Sequence, residues 1–377
     1  MARYDHIRQH LGDAPRAWLV TGAAGFIGSH LVEALLQLEQ QVVGLDNLST
    51  GSLDNLAQVE VTVGRRQWRR FRFLHGDICS LDSCREACTK VDVVLHHAAL
   101  GSVPASLEDP LGAHASNVTG FLNMLVAAQA AGARRFVYAS SSAAYGDDPA
   151  PLKSEAVVGQ PLSPYAATKF VNELYAGTFA RCYRLNAVGL RYFNIFSPRQ
   201  DPAGAYAAVI PAWIRAMIRG EPVYINGDGE TVRDFCYVAD VVQANLLAAT
   251  TDAPAALNQS YNVALNAGTT LNQLFELIRT GLEPRLPHLR GLRPQYREFR
   301  DGDIRRSQAD IGKAASLLGY QPQWTVGRGL ACTLDWFLRQ PAKKSPDTGG
   351  GRMVSGPAGL KRPIGGGALH SKSAVER

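Results

Sequence analysis

Apolar residues along this chain fall into two alternating patterns. Short, nearly unbroken apolar runs occur at Ala17–Val20, Gln41–Leu45, Phe71–Leu74, Val91–His96, Arg135–Ala139 and Ala187–Tyr192. Runs of this length without polar alternation read as strands buried on both faces. Between them lie stretches with helical spacing. Ile27, Leu31, Ala34, Leu35 and Leu38 share one helix face, another helix ends near Gly132, and a third runs from Pro164 to about Arg184. Strand–helix alternation predicts an α/β fold with a doubly wound parallel sheet. Beyond Asn194 the pattern loosens. Helices are expected around Pro211–Arg219, Thr270–Thr280, Gln308–Leu318 and Arg328–Leu338, with a strand and turn over Val223–Gly229. The predicted organisation is a first domain over 1–195, onto which some later segments pack back, a smaller α/β domain over 196–340, and a tail over 341–377. The tail is rich in Gly, Ser, Pro and basic residues and lacks the apolar content to offset its ordering entropy, so it is expected to be disordered.

Composition narrows the classes. With 377 residues, 46% hydrophobic and 19% charged, the chain can bury a large core. The net charge of +6 suggests a polyanion partner until its distribution is read. Beyond residue 340 there are seven basic and two acidic residues, which leaves the remainder close to neutral. No large basic field is implied, and no nucleic-acid partner is expected. One local run, Arg65 to Arg72, interleaves arginine with Trp68 and Phe71; it reads as a solvated surface loop entering the third strand. The six cysteines form no Cys-x-x-Cys pair and sit beside no histidine cluster, so reduced structural thiols and no metal are expected. No stretch approaches twenty uninterrupted apolar residues, and no apolar leader is evident. The expected location is cytoplasmic, with no membrane partner.

The chemistry begins at Gly22-Ala23-Ala24-Gly25-Phe26-Ile27-Gly28, which follows an apolar strand and opens an amphipathic helix. Gly22 permits a tight turn, Gly25 lets backbone approach a pyrophosphate, and Gly28 allows close helix–sheet packing. The helix N-terminus then offers free N–H groups to phosphate. Eighteen residues on, the second strand ends at Asp46. A carboxylate there accepts from both hydroxyls of an adenosine ribose and repels a 2′-phosphate, which argues for NAD over NADP. Further along, Tyr165 and Lys169 stand about one helical turn apart, on one helix face. A lysine ammonium beside a phenol favours the phenolate and makes it a usable base. Upstream, Ser140-Ser141-Ser142 closes an apolar strand.

The glycine spacing, Tyr165-x-x-x-Lys169 and the upstream serines together resemble the extended short-chain dehydrogenase/reductase superfamily, and within it the nucleotide-sugar 4-epimerases. Matching segments are Asp46-Asn47-Leu48-Ser49-Thr50-Gly51, Gly76-Asp77-Ile78, His96-His97-Ala98-Ala99, Leu190-Arg191-Tyr192-Phe193-Asn194, Gly229 to Phe235, and Arg300-Asp301-Gly302-Asp303. The resemblance spans about 16–340 and implies a Rossmann sheet with a smaller C-terminal substrate domain. It implies that NAD is held by Gly22, Gly25, Phe26, Ile27, Gly28, Asp46, Asn47, Ser49, Thr50, Gly51, Asp77, Ile78, Ala98, Asn117, Tyr165, Lys169 and Phe193. It assigns catalysis to Tyr165 as base, Lys169, and Ser141 with Ser142 as a second contact. Substrate contacts implied are Gly101, Ser102, Ser141, Ser142, Asn194, Gln200, Ala208, Tyr224, Arg233, Arg300, Asp303 and Ser307, with Arg233 and Arg300 on a diphosphate and Asp303 on a uridine ribose. Arginine's planar fork suits phosphate oxygens. A homodimer is what the family implies.

Departures from the relatives refine the chemistry. The sugar 4,6-dehydratases of this superfamily carry Asp-Glu after the hydroxyl residue, and the decarboxylating relatives a Glu two residues after it. Here Ser142 and Ala143 stand there. Neither moves a proton as a carboxyl group does, which leaves hydride removal and return, an epimerisation through a 4-keto intermediate. Epimerases restricted to unacetylated hexoses carry a tyrosine where this chain has Ser307, a lysine at Gly101 and an asparagine at Ala208. The small residues resemble the type preferring N-acetylhexosamines, so the expected reaction interconverts UDP-GlcNAc and UDP-GalNAc, serving surface-polysaccharide synthesis. A UDP-glucose 4-epimerase of broad or unacetylated preference is the alternative, and an idle NAD-binding scaffold that binds RNA a more remote one.

Overall fold

In a computed structural model the described residues are 3–201, 207–299 and 304–340. Seven parallel strands form the central sheet, in the order Gln259–Val263, Ala187–Tyr192, Arg135–Ser141, Val93–His96, Ala17–Thr21, Gln41–Asp46, Phe71–His75. The chain direction across the sheet reverses between Ala17–Thr21 and Val93–His96. In open α/β sheets, ligands bind beyond the carboxyl ends of the strands at such a reversal.

The unbroken apolar runs follow from burial on both sides. Val20, Leu95, Val137 and Val188 enter one core cluster, while their chain neighbours Leu19, Val94, Phe136 and Ala187 enter the opposite one. All eight are essentially inaccessible to water. At roughly 2 kcal/mol per fully buried aliphatic side chain, these strands carry much of the driving force for folding. A second sheet joins Gly268–Thr270, Val232–Tyr237, Arg306–Ala309 and Leu152–Lys153, with Asn194–Phe196 beside Val232–Tyr237. Its apolar cluster includes Ile214, Met217, Ile225, Phe235, Phe275 and Ile278, from the helices Val209–Arg219 and Leu271–Leu282 among others.

Several expectations are corrected. The seventh strand, Gln259–Val263, is not visible in the sequence pattern because it lies at the sheet edge and mixes Gln, Ser and Asn with Tyr and Val. The helix expected over Gln308–Leu318 instead begins as the strand Arg306–Ala309 and ends in a π-turn at Ala314–Leu318. Local propensity there loses to pairing with Val232–Tyr237. The arginine run is not a loop. It continues the helix Leu53–Trp68 past a kink at Gly64 (φ 77°), and Arg70 pairs with Glu39 at 3.1 Å while Trp68 packs on Phe71 with ring centroids 4.7 Å apart. An unexpected helix, Arg3–Asp13, precedes the first strand. The tail over 341–377 lies outside the described residues.

Candidate active site

The phosphate loop forms as its glycines require. Gly22 has φ 68°, and a Cβ there would sit 2.9 Å from backbone atoms of His97 and Ala98. A Cβ on Gly28 would lie 1.9 Å from the Gly22 carbonyl oxygen, so any side chain would push the helix off the sheet. Gly25 caps the helix Phe26–Gln37 with extended backbone and no side-chain hydrogen bond. The first-turn N–H groups, Phe26 and Ile27 included, are therefore left to an external acceptor.

Around this loop the expected residues gather at the strand ends. Asp46 closes its strand and is 8% exposed. Its Oδ2 accepts the Ala24 N–H at 2.9 Å and its Oδ1 the Leu48 N–H at 2.8 Å. Loop capping is thus a real role of this residue, and each oxygen keeps lone pairs for a diol. A Cβ on Gly51 would come within 3.0 Å of that carboxylate, so backbone passes close by. Asn47 donates to Asp77 at 2.8 Å and accepts from the Ser49 N–H at 3.0 Å, tying the loop through Thr50 to the end of the third strand. Asp77 is held below the usual carboxylate range: desolvation works against this, and the Cys79 N–H and the Asn47 amide outweigh it. Ile78 is buried beneath. At the fourth strand, the Thr21 hydroxyl accepts N–H bonds from His97 and Ala98, both at 3.1 Å, and faces His96 Nδ1 at 2.9 Å. Burial drives the His96 pKa well below its ordinary value, with the Lys169 charge adding to the effect. The ring is neutral, and because the Thr21 oxygen already accepts two N–H bonds, its hydroxyl proton is left to be donated to Nδ1.

The Tyr165/Lys169 helix, Pro164–Tyr183, starts where Ser163 accepts the Ala166 N–H at 3.1 Å and Pro164 presets the first turn. Ser106 accepts the Tyr165 N–H at 3.0 Å. Asn117 sits in a π-turn, Ala115–Thr119, where it brackets both backbone groups of Leu100 and donates to Thr168 at 3.2 Å. Asn117 is therefore a brace between the fourth strand's loop and the helix Pro164–Tyr183. One turn beyond Lys169, Glu173 accepts from Ser140 at 2.6 Å and forms a bidentate pair with Arg191 at 2.9 and 2.7 Å. Arg191 also lies over the Tyr145 ring at 4.8 Å. This buried network fixes the helix rotation that points Tyr165 and Lys169 at the strand ends.

Burial raises the Tyr165 pKa, and the hydrogen bond with Ser141 opposes that rise. The expected depression by Lys169 is not what the structure shows. The Lys169 ammonium donates to the Ala139 carbonyl at 2.9 Å and stands 5.8 Å from the Tyr165 ring centroid. Desolvation pushes Lys169 itself down to about 8. Ser141 accepts the Ala143 N–H at 3.1 Å, so its hydroxyl is oriented by the turn Ser142–Tyr145. Of the two serines, Ser141 is the one bonded to Tyr165.

The residues expected to meet substrate occupy a second set of element ends. In the strand Val232–Tyr237, Arg233 is in register with Ser307 on one side, and Phe235 with Asn194 on the other. Register partners share a face, as do residues two apart. Arg233, Ser307 and Asn194 therefore belong to one face, and the buried Asp234 to the opposite one. Arg233 Nη1 also donates to the Ile304 carbonyl at 2.6 Å. Phe193 is buried just before Asn194. Ser102 caps the helix Val103–Glu108, and next to it Gly101 has no atom within 4 Å of where a Cβ would stand. Ala208 caps the helix Val209–Arg219 with extended backbone and no side-chain bond. The Gln200 amide oxygen is buried without a partner. Tyr224 is 37% exposed, and the Arg297 guanidinium lies 3.3 Å from its ring centroid. Arg300 and Asp303 lie outside the described residues. Ser197 and Pro198 meet His30, and Arg199 pairs with Glu33, both on the helix Phe26–Gln37.

Thr21, Ser106, Glu173 and Arg191 are given no role by the sequence motifs, although Arg191 stands within one of the matching segments. Glu173 carried a signal, since it stands four residues after Lys169 on the same face. Arg191, inside an apolar run, carried another: a buried guanidinium needs a carboxylate. Among the described residues no cluster of three His, Cys, Asp or Glu side chains forms a metal site, and no helix is long and apolar enough to cross a membrane.

Comparison with known proteins gives this geometry a setting. Residues 18–264 match the model of the NAD dependent epimerase/dehydratase family. A UDP-glucose 4-epimerase of Mycolicibacterium smegmatis is 37% identical over 321 residues, covering 85% of this chain and 97% of the relative. Among solved structures, a UDP-N-acetylglucosamine 4-epimerase from Methanobrevibacter ruminantium, in complex with UDP-N-acetylmuramic acid, superposes with a TM-score of 0.78 at 37% identity over 86% of this chain and 98% of that one. A Thermus thermophilus UDP-glucose 4-epimerase in complex with NAD gives 0.73 at 33% identity over 86% and 99%.

Proposed function

From the premise that this chain belongs to the NAD dependent epimerase/dehydratase family, we propose that it interconverts UDP-GlcNAc and UDP-GalNAc by inverting the sugar C4. The coarser reading, an NAD-using enzyme among UDP-sugar 4-epimerases, is established by the relatives. The choice of acetylated sugar rests chiefly on Ser307, a small side chain in register with Arg233. An arginine that grips a diphosphate and a small residue beside it on the same face leave volume where an acetamido group belongs. Gly101 and Ala208 leave further room.

NAD, when bound, supplies a hydride acceptor that becomes the donor for the return step. Gly25 and the first-turn N–H groups suit its pyrophosphate, and Asp46 its adenosine diol. Tyr165 takes the C4 hydroxyl proton as that carbon becomes a ketone, and returns it when the carbon is reduced from the other face. Ser141 bridges the reacting oxygen and Tyr165. Lys169 holds positive charge beside them. Arg233, with Arg300 and Asp303 as further proposed contacts, anchors the UDP while the sugar turns. The 1–195 and 196–340 division is our reading of this split labour. A cytoplasmic homodimer serving polysaccharide synthesis completes the proposal.

The M. smegmatis relative favours a second reading, UDP-glucose/UDP-galactose epimerisation. Incubating the protein with UDP-GalNAc and with UDP-Gal separately, without added NAD, decides between them. Faster conversion of UDP-GalNAc supports the proposal, and turnover of UDP-Gal alone replaces it with the second reading.

A further inference from the structure

At the opposite end of the central sheet, where the strands begin, a cavity of about 350 Å³ is lined by Arg16, Arg134, Arg135, Asn186 and Asp252, with Val93, Ala249 and Leu257 as its apolar wall. Three arginines face it and one carboxylate. Arg135 opens the strand Arg135–Ser141 and is only 7% exposed. One of its nitrogens, Nη2, donates at 2.6 Å to the Thr251 carbonyl, at the end of the helix Val238–Thr250. Its Nε and Nη1 are buried with no hydrogen-bond partner.

Capping the helix occupies one of the three guanidinium nitrogens and leaves the N–H groups of the other two, Nε and Nη1, without an acceptor. A buried guanidinium with orphan donors is costly unless an acceptor arrives. The nearby charges make an anion the fitting acceptor: Asp252 steadies the Arg135 charge, while Arg134 and Arg16 repel it. The Asp92 carboxylate, also at this end of the sheet, accepts the Ala17 N–H at 2.9 Å. Guanidinium forks match phosphate oxygens in geometry as well as charge.

We propose that this cavity is a binding site for a phosphate group, free or carried by a small sugar, held by Arg135 from within and by Arg16 and Arg134 at the rim. The cavity is larger than phosphate alone needs, and its wall of Val93, Ala249 and Leu257 suits the carbon skeleton of a monoester. The catalytic residues lie at the other ends of the same strands, about 20 Å away at the rise of an extended chain. Occupancy therefore does not compete with NAD or UDP-sugar.

The test uses the full-length protein saturated with NAD and UDP, so that the active-site anion positions are filled. Thermal unfolding is followed while sodium phosphate replaces sodium chloride at constant ionic strength. Ligand bound only to the folded state raises the midpoint, by roughly 2 °C or more at ten times its dissociation constant. The variant R16A/R134A changes two rim residues and spares Arg135. It should keep the wild-type midpoint in chloride and wild-type turnover, while losing the phosphate-dependent rise. A parallel arm with glucose 1-phosphate identifies the source: a larger rise than with phosphate means a sugar phosphate, and an equal one means phosphate itself. An equal rise in wild type and variant overturns the proposal, as does no rise in wild type. Neither result bears on the epimerase reading, which rests on turnover.

Discussion

Tyr165 concentrates the chemistry at the residue scale. Tyr165→Phe removes the proposed base and keeps the ring, so UDP-sugar binding should persist by calorimetry while turnover falls by about two to four orders of magnitude. Near-wild-type turnover would rule Tyr165 out. Lys169 predicts a pH profile. Desolvation sets its folded pKa at about 8, below the ordinary 10.5, so its positive charge is present below pH 8 and lost as pH rises through it. Turnover should therefore decline on the alkaline side near pH 8. In Lys169→Met that limb should vanish from an already low activity; a limb that survives belongs to another group. Ser307 bears on substrate choice. Ser307→Tyr should overfill the proposed acetamido space, costing about 1–3 kcal/mol for N-acetylated sugars and shifting kcat/KM toward UDP-Gal by roughly tenfold or more. Equal losses on both substrate pairs would remove Ser307 from the specificity argument.

Between elements, the decisive contact is the Glu173–Arg191 pair, which locks the helix Pro164–Tyr183 to the strand Ala187–Tyr192. Both partners are nearly inaccessible, with side-chain exposures of 11% and 4%. Arg191→Met takes the ion-pair partner from the buried Glu173 carboxylate and leaves it the Ser140 hydrogen bond. The expected loss is about 3–5 kcal/mol, measured by urea unfolding. Arg191→Met/Glu173→Gln should recover much of it, because the uncompensated charge is gone. If the double variant is no more stable than the single one, the cost lies in packing and not in charge. Ser163, Ser106 and Asn117 act at this scale too, setting where the helix begins and what its first turn touches. The spacing Tyr165-x-x-x-Lys169 identifies the pair, whereas these polar braces give it direction.

Across the whole molecule, two buried carboxylates tie distant segments together. Asp234 accepts the N–H groups of Leu265 and Ala309, at 2.9 and 3.2 Å, and Asp240 those of Gln323 and Trp324, at 2.8 and 3.2 Å. Burial, the largest influence on both, raises each to about 6 from 3.8, against the lowering effect of those bonds. The folded state therefore holds these protons more tightly than the unfolded chain. Their contribution to stability is full below about pH 4 and is lost as pH rises through 6; two pK units correspond to about 3 kcal/mol per group, as an order of magnitude. The unfolding free energy of wild type minus that of Asp240→Asn should accordingly fall between about pH 4 and 6. A difference that stays constant with pH would mean that Asp240 titrates normally.

How far the sequence determines this protein differs with the kind of order. Six of the seven strands of the central sheet, the glycine loop, Asp46 and the Tyr165/Lys169 pair were legible, because they depend on local spacing: apolar runs for strands buried on both faces, glycines where a Cβ would strike backbone, four residues per helical turn. The strand Gln259–Val263 was not legible, since an edge strand can carry Gln, Ser and Asn and is defined by the partner it meets. The strand Arg306–Ala309 was masked by helical spacing and decided by pairing with Val232–Tyr237, which also brought Ser307 into register with Arg233 across more than seventy residues of chain. Tyr165's environment was decided by tertiary structure as well. Adjacency in sequence suggested that Lys169 would acidify the phenol; folding buried both groups and turned a Lys169 N–H to the Ala139 carbonyl as a hydrogen bond, so burial prevails. Spacing along one chain fixes what a segment can form, whereas the dielectric around a group and its partners from afar exist only once the chain has closed on itself.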